Sequence, residues 1–182
     1  MASILKVDTI QDQSGNNIIN ENAGTITIGK SGDIINLASG ATAGFGKVNQ
    51  IVTGSTTTAV TVTTTVRTEI GLEATITPSS TSSKILVMAE VMAKAERDIA
   101  SNWTFLYVYR DDTGALYTVA GGQANSTDFE TRVPMTYLDS PSSTSALRYN
   151  IRGRPYVTAN NGQVIYQRSS YISNITLMEI LP

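Results

Sequence analysis

The sequence has no cysteine and no histidine. Without cysteine there are no disulfides and no thiolate chemistry, and the redox compartment is left open. Without histidine the usual general base, the usual activator of a nucleophile and the commonest metal ligand are missing together. Charge is also scarce. Charged side chains make up 15% of the 182 residues and the formal net charge is -2, so no basic field invites nucleic acid or anionic lipid. No apolar run approaches about 18 residues, and no basic stretch followed by an apolar one opens the chain. Neither a membrane span nor a secretory leader is expected. What is abundant is threonine and serine, with threonine inside alternating stretches and serine in the breaks between them. That distribution suits an all-β chain.

The stretch around which the rest is organised is Lys84–Met92. Read with period two, Ile85, Val87, Ala89 and Val91 share one side of a strand, and Leu86, Met88 and Met92 share the other with Glu90. A strand of a free-standing antiparallel sandwich carries one polar face. This one is apolar on both. One side belongs to the domain's own core, and the other needs a cover, either another copy of the chain or a second layer of the same chain.

Residues 1–46 read differently from 47–182, and the chain is expected to divide there into an N-terminal segment and a head domain. Short apolar pieces at 4–10, 18–19, 25–28, 33–35 and 37–38 are separated by turn clusters, with glycine at 24, 29, 32, 40, 44 and 46. Each piece carries too little apolar surface to bury itself. Such strands stack as a solenoid or wind with copies into a shaft, and the isoleucine density argues against a flexible linker. From Lys47 onward the strands lengthen. Expected strands cover 47–53, 57–66, 72–77, 84–92, 103–109, 115–120, 132–138, 146–152, 163–167 and 174–180. Asp111–Gly114 turns one hairpin, and Gly121-Gly122 is read as a break. Roughly nine or ten strands at this spacing indicate a sandwich or jelly roll. Only 88–97 offers a weak helical alternative.

Several motifs carry chemistry elsewhere and are weighed against plainer roles. Asp112-Thr113-Gly114-Ala115 resembles the aspartic-protease signature, in which two such loops share a proton. Here Arg110 and Asp111 precede it where that family keeps apolar residues, and Asp with Gly is ordinary hairpin chemistry. Glu69 with Glu73, or Asp128 with Glu130, supplies acid pairs of the kind glycoside hydrolysis uses, but that chemistry depends on a separation no sequence gives. Asp111, Asp112, Asn125 and Asp128 lack the spacing of a calcium loop. The sequons at Asn102, Asn125 and Asn174 are read as chance matches, two of them falling in or beside strands. Trp103, Phe105, Tyr107 and Tyr109 share one face of their strand, read as packing, with a sugar-stacking platform if part of that face lies open. Loop residues with polar tips, Asn125, Asp128, Tyr156, Asn160 and Asn161, are the candidate receptor contacts. No cofactor and no metal ligand set is expected.

The segments Ser3–Asp12, Gly15–Asn20 and Thr25–Gly29 resemble the opening of fibre-like virion proteins of tailed phages, especially those of marine bacteria. Ile76–Val87 is similar to the TPxSxxSKILV segment of their C-terminal heads, and Ile175–Ile180 to the closing strand of those heads. The loops at 121–131 and 154–162 carry no such likeness. None of these segments is catalytic. The resemblance implies a homotrimer with a short β-shaft and a jelly-roll head similar in outline to tumour-necrosis-factor-like trimers. It also implies an N-terminal anchor to other virion proteins, for which Leu5, Val7 and Ile10 are candidates. Ile26 and Ile28, with Ile34 and Leu37, would then lie around the shaft axis, and Leu86, Met88 and Met92 would meet neighbouring heads.

The expected function is adhesion to a host-surface glycan or protein by a trimeric fibre or spike on the tail or baseplate. Capsid decoration and a glycan-degrading tailspike-like enzyme are the alternatives. Three equivalent heads would add avidity to weak contacts. Neither nucleic acid nor membrane insertion enters this picture.

Overall fold

The structure is a computed structural model that describes residues 9–11, 13, 17–22, 25–28, 48–96, 101–125 and 128–181. Among the first 45 residues only the side chains of Ile10 and Gln13 are described, and those of 101 and 122–127 are not. The chain divides into two compact units, Met1–Phe45 and Gly46–Pro182.

The first unit contains a three-stranded antiparallel meander of β1 (Thr9–Gln11), β2 (Asn17–Asn22) and β3 (Thr25–Ile28). Ile10, Ile19 and Ile28 stand opposite one another across the three strands, and Ile26 pairs with Glu21. Pairing within one chain thus satisfies part of the backbone of strands too short to stand alone. Ile26 and Ile28 occupy alternate, same-face positions of β3. Leu5, Val7, Ile34 and Leu37 lie outside the described residues.

The second unit holds ten strands. They are β4 (Val48–Thr56), β5 (Val60–Val62), β6 (Thr68–Ile76), β7 (Lys84–Glu96), β8 (Ser101–Arg110), β9 (Ala115–Asn125), β10 (Phe129–Asp139), β11 (Leu147–Pro155), β12 (Gln163–Tyr166) and β13 (Ser173–Ile180). In one sheet β12 and β13 follow each other along one edge of β7, β5 and β4 flank them in turn, and β10 pairs along β7 from Ile85 to Ala95. The other sheet has the order β6-β11-β8-β9. With β4/β5 and β12/β13 taken as interrupted single strands, each sheet has four positions. Every connection except the β8–β9 hairpin passes from one sheet to the other. This is a jelly roll, all-β as the sequence pattern indicated.

One core fills the space between the sheets. Ile70, Leu72 and Ile76 of β6, Leu106 and Val108 of β8, and Tyr149 and Ile151 of β11 meet Ile85, Val87 and Val91 of β7, and Ile175 and Leu177 of β13. The alternation read in 84–92 is therefore real, with the odd-numbered positions inside. The strand continues to Glu96, so the weak helical alternative over 88–97 does not occur.

Among the strand limits that differ from the sequence reading, three have a clear physical reason. β9 does not stop at Gly121-Gly122 but runs to Asn125. A Cβ on Gly121 would lie 2.4 Å from Thr104 Cγ2 and 2.6 Å from a Val133 methyl, so glycine marks a close approach between sheets. Within 57–66 only Val60–Val62 pairs, because Val62 alone is fully buried there. β6 begins at Thr68, and its positive-φ Gly71 falls where the pairing with β11 shifts register between Ile151 and Arg152.

Two buried carboxylates tie the layers together. Asp139 accepts from Arg110 Nη1 (2.5 Å), Tyr149 Oη (2.6 Å) and its neighbour's backbone N–H, joining β10 to β8 and β11. Glu179 of β13 accepts from Asn49 Nδ2, Gln50 Nε2, Ser79 N and Oγ, and Ser83 Oγ, all within 2.6–2.8 Å. The two head segments that carry the phage-fibre resemblance, 76–87 and 175–180, are thus joined through one side chain.

Candidate functional site

The two outer faces of the sandwich have opposite chemistry. On the β6-β11-β8-β9 sheet, β8 turns Trp103, Phe105, Tyr107 and Tyr109 away from the core, and arginines cover the last three. The Arg67 guanidinium carbon lies 4.3 Å from the Tyr107 ring centre, Arg152 4.3 Å from Tyr109 and Arg154 4.7 Å from Phe105. Tyr107 and Tyr109 are consequently buried although they face outward. The packing role read for this face holds, with side chains from the neighbouring strand and Arg67 as the covering layer.

Arg148 and Arg152 extend this layer into an ion network. Arg148 donates to Glu69 (3.0 Å), Glu73 (2.5 Å) and both oxygens of Asp112 (2.7 Å each), and Arg152 to Glu69 (3.1 Å) and Asp112 (2.5 Å). Desolvation pushes the Asp112 carboxyl up, but the two guanidiniums outweigh it and hold the group below the usual carboxylate range. A carboxylate so engaged is poorly placed to share a proton with a second aspartate. Asp111 and Asp112 both have positive φ, as a tight hairpin turn demands. Glu69 and Glu73, considered above as an acid pair, are both bound to Arg148.

The outer face of the other sheet carries a wholly apolar row bordered by threonines. Register places Ile51 of β4 opposite Met178 of β13, Met178 opposite Leu86 of β7, and Leu86 opposite Leu138 of β10. The next row is Thr53, Thr176, Met88 and Thr136. Ile51 is 57% exposed and Leu138 47%, at either side of the half-buried Leu86, Met88 and Met178. Glu90, the one charge between Leu86 and Met92 on this side of β7, is paired with Arg132 of β10 on the same face, and Lys84 and Lys94 lie on that side toward the two ends of the strand. The polar spot within the apolar face is therefore already neutralised. Met92 continues the face toward exposed Ile172.

The five candidate contact residues collect at one end of the sandwich. Asn125 pairs with Ser101 at the end of the β8–β9 ladder, and Gln163 pairs with Glu96 where β7 ends. Asp128 forms an ion pair with Lys94, which also binds Glu96. The hydrogen bond to Asp128, and after it the one to Glu96, raises the Lys94 ammonium above its ordinary value against a smaller downward push from burial. Asn125 is thus part of a ladder and Asp128 part of a charge cluster, where the sequence reading placed both in an open loop. Tyr156, Asn160 and Asn161 are exposed on the β11–β12 connection. Asn160 and Asn161 both have positive φ, and Gly162 N donates to Ala159 O (3.2 Å). Turn chemistry is reason enough for asparagine at both positions.

Asn102 sets the position of this connection, and the sequence reading missed it. Fully buried, it donates through Nδ2 to Glu96 O (2.9 Å) and Gln163 O (3.2 Å) and accepts at Oδ1 from Trp103 N (2.9 Å) and Val157 N (3.3 Å). Tyr156 N donates to Trp103 O (2.9 Å). A buried asparagine with both ends engaged is not a glycosylation acceptor in the folded chain. The local sequence showed only a sequon, since its partners are at 96, 157 and 163. The connection borders two hollows. One, of about 490 Å³, is lined by Thr63, Thr158, Asn161, Gly162 and Gln163. The other, of about 280 Å³, is lined by Trp103, Phe105 and Tyr156. No group of three or more acidic side chains suited to a metal ion occurs among the described residues.

No protein-family model matches the chain, and no curated protein matches it either. Among solved structures, it is similar to one titled as the structure of the Gx strain of infectious bursal disease virus. The identity is 11% and the TM-score 0.33, over 82% of this chain and 47% of that one. It is also similar to a point mutant of the VP2 protein of the same virus, from T=1 particles, at 12% identity and a TM-score of 0.29, over 82% and 45%. The chain spans about half the length of these proteins.

Proposed function

We propose that the chain is a structural protein of a virion, a homotrimeric fibre or spike. Its heads meet through the outer face of the β4-β13-β7-β10 sheet, and its β11–β12 end is presented to a host surface. The observation that carries this reading is the contrast between the two outer faces. An arginine and carboxylate layer solvates one, while Ile51, Met178, Leu86 and Leu138 form an uninterrupted apolar row across the other. Contiguous apolar surface of that kind marks an interaction site in a soluble protein. The head and closing-strand segments resemble those of phage fibre proteins, which supports a second and third copy of the same chain as the cover. A closed symmetric assembly buries the face on every copy and leaves none exposed. The N-terminal unit is the proposed attachment to other virion proteins.

Leu86→Asp and Met88→Asp place a carboxylate in the middle of the face, and each is expected to reduce the assembly to single chains with an unchanged circular dichroism spectrum. Thr118→Asp, on the opposite sheet, is expected to leave the mass unaltered. Assembly of both β7 variants at the wild-type mass would remove this face as the interface.

A further inference from the structure

We infer that the hollow between Trp103, Phe105 and Tyr156 is a binding site for an acidic sugar ring, a uronic acid unit of a surface polysaccharide. This rests on the reading of the β11–β12 end as the adhesive end, and names the ligand that end would take. Three features meet there. The first is aromatic surface left uncovered on a face that is otherwise covered. Tyr107 and Tyr109 are buried under arginines, whereas Trp103 is 37% and Tyr156 54% exposed, with half-buried Phe105 between them. The Tyr156 and Phe105 rings pack as a tilted pair, at 48° with centres 6.1 Å apart, and form one apolar wall of the hollow. Large apolar rings left exposed at a loop end suit the C–H face of a pyranose, which is apolar while its rim is not.

The second feature is size. At about 280 Å³ the hollow falls just below the range of drug-sized ligand sites, which run upward from roughly 300 Å³. It has room for one ring, and the polar hollow across the same connection offers hydroxyl partners to a neighbouring unit. The third is charge. Arg154 lies over the Phe105 ring and donates through Nε to Tyr107 Oη (2.9 Å) and through Nη1 to Pro155 O (3.0 Å). Arg67, over Tyr107, donates to Tyr109 Oη (3.1 Å). Neither has a carboxylate partner among the described residues, whereas Arg148 and Arg152 on the same sheet have several. In a chain of net charge -2, the Arg154 guanidinium, stacked on Phe105 at the edge of the hollow without a carboxylate partner among the described residues, is complementary to a carboxylate, which an Arg fork binds well. A neutral sugar would leave that charge unanswered.

Trp103 is the one tryptophan of the chain, so its fluorescence reports on this hollow alone. The test is a titration of the full-length protein with trigalacturonic acid and, separately, with neutral galactotriose. A saturable change with the acidic trisaccharide, at least about tenfold tighter than with the neutral one, is expected from one charge-assisted contact. Arg154→Gln should remove most of that difference, and Tyr156→Ala, a change at an exposed ring, should weaken both ligands without lowering the melting midpoint. No saturable change with either sugar, equal affinity for the two, or an unchanged preference in Arg154→Gln would overturn the site. The mass of the same sample keeps the two readings apart. A trimer that binds neither sugar contradicts the sugar site alone, and a single chain that binds the acidic one contradicts the trimer alone.

Discussion

Glu179 gathers four separate donor residues onto one buried carboxylate, and its titration follows from them. Burial pushes its pKa up. The hydrogen bonds from Asn49, Gln50, Ser79 and Ser83 overcome that and hold it at about 2 against an ordinary 4.5. A carboxylate depressed in the folded state contributes stability that is fully present above 4.5 and is lost as the pH falls toward 2. The size is about 3 kcal/mol. Glu179→Gln is expected to lower the unfolding free energy at pH 7 by about that amount and to flatten its acid dependence between pH 4.5 and 2. A variant that keeps the wild-type acid slope would assign that slope to other groups. Gly153 makes a second residue-scale test. A Cβ there would sit 2.3 Å from the Tyr166 Oη and Cζ atoms, and Tyr166 is fixed by burial and its hydroxyl contact with Thr104 (2.8 Å). Glycine to alanine in a strand ordinarily stabilises by about 0.5–1 kcal/mol. Here overpacking reverses the sign, and Gly153→Ala should cost about 1–3 kcal/mol, measured as a lower melting midpoint. A raised midpoint would mean the Tyr166 ring moves aside freely.

Among the elements, β7 was the most legible, because its two faces are written in strict alternation and burial follows that alternation from Lys84 to Ala93, until Lys94 is buried among its carboxylate partners. The β8–β9 hairpin was equally plain from its Asp and Gly turn. What stayed hidden depends on residues far apart in the chain. Tyr107 and Tyr109 read as core-type side chains, yet they face outward and owe their burial to Arg67, Arg152 and Arg154. β9 continues through two glycines because Thr104 and Val133 crowd Gly121. Asn102 holds the β11–β12 connection through partners some 55 and 61 positions away. The candidate contacts at Tyr156, Asn160 and Asn161 were legible as an exposed turn, while Asp128 proved to be committed to Lys94. At this scale the two units make a separable prediction. Gly46–Pro182 has its own core and its own complete pair of sheets, so deletion of residues 1–46 should leave a head with unchanged β circular dichroism and a cooperative melt. The same deletion should abolish incorporation into particles. Particles that still carry the truncated chain would move the anchor out of the N-terminal unit.

For the whole molecule, the deciding feature is the unequal chemistry of the two sides of the sandwich. On the β6-β11-β8-β9 side, guanidiniums cover the rings and carboxylates bind guanidiniums. On the β4-β13-β7-β10 side, the apolar row from Ile51 to Leu138 is flanked by threonines and a neutralised Glu90–Arg132 pair. Three copies would share that face around an axis, with each loop end and its aromatic hollow directed away from it, so that weak single-site binding is multiplied by avidity. The most direct measurement is the solution mass of the purified full-length chain by light scattering, at concentrations spanning two decades. A mass three times the 19.4 kDa of one chain, independent of concentration, is the predicted result. A mass of one chain across that range would contradict the trimer and require the apolar face to be covered from within the same chain.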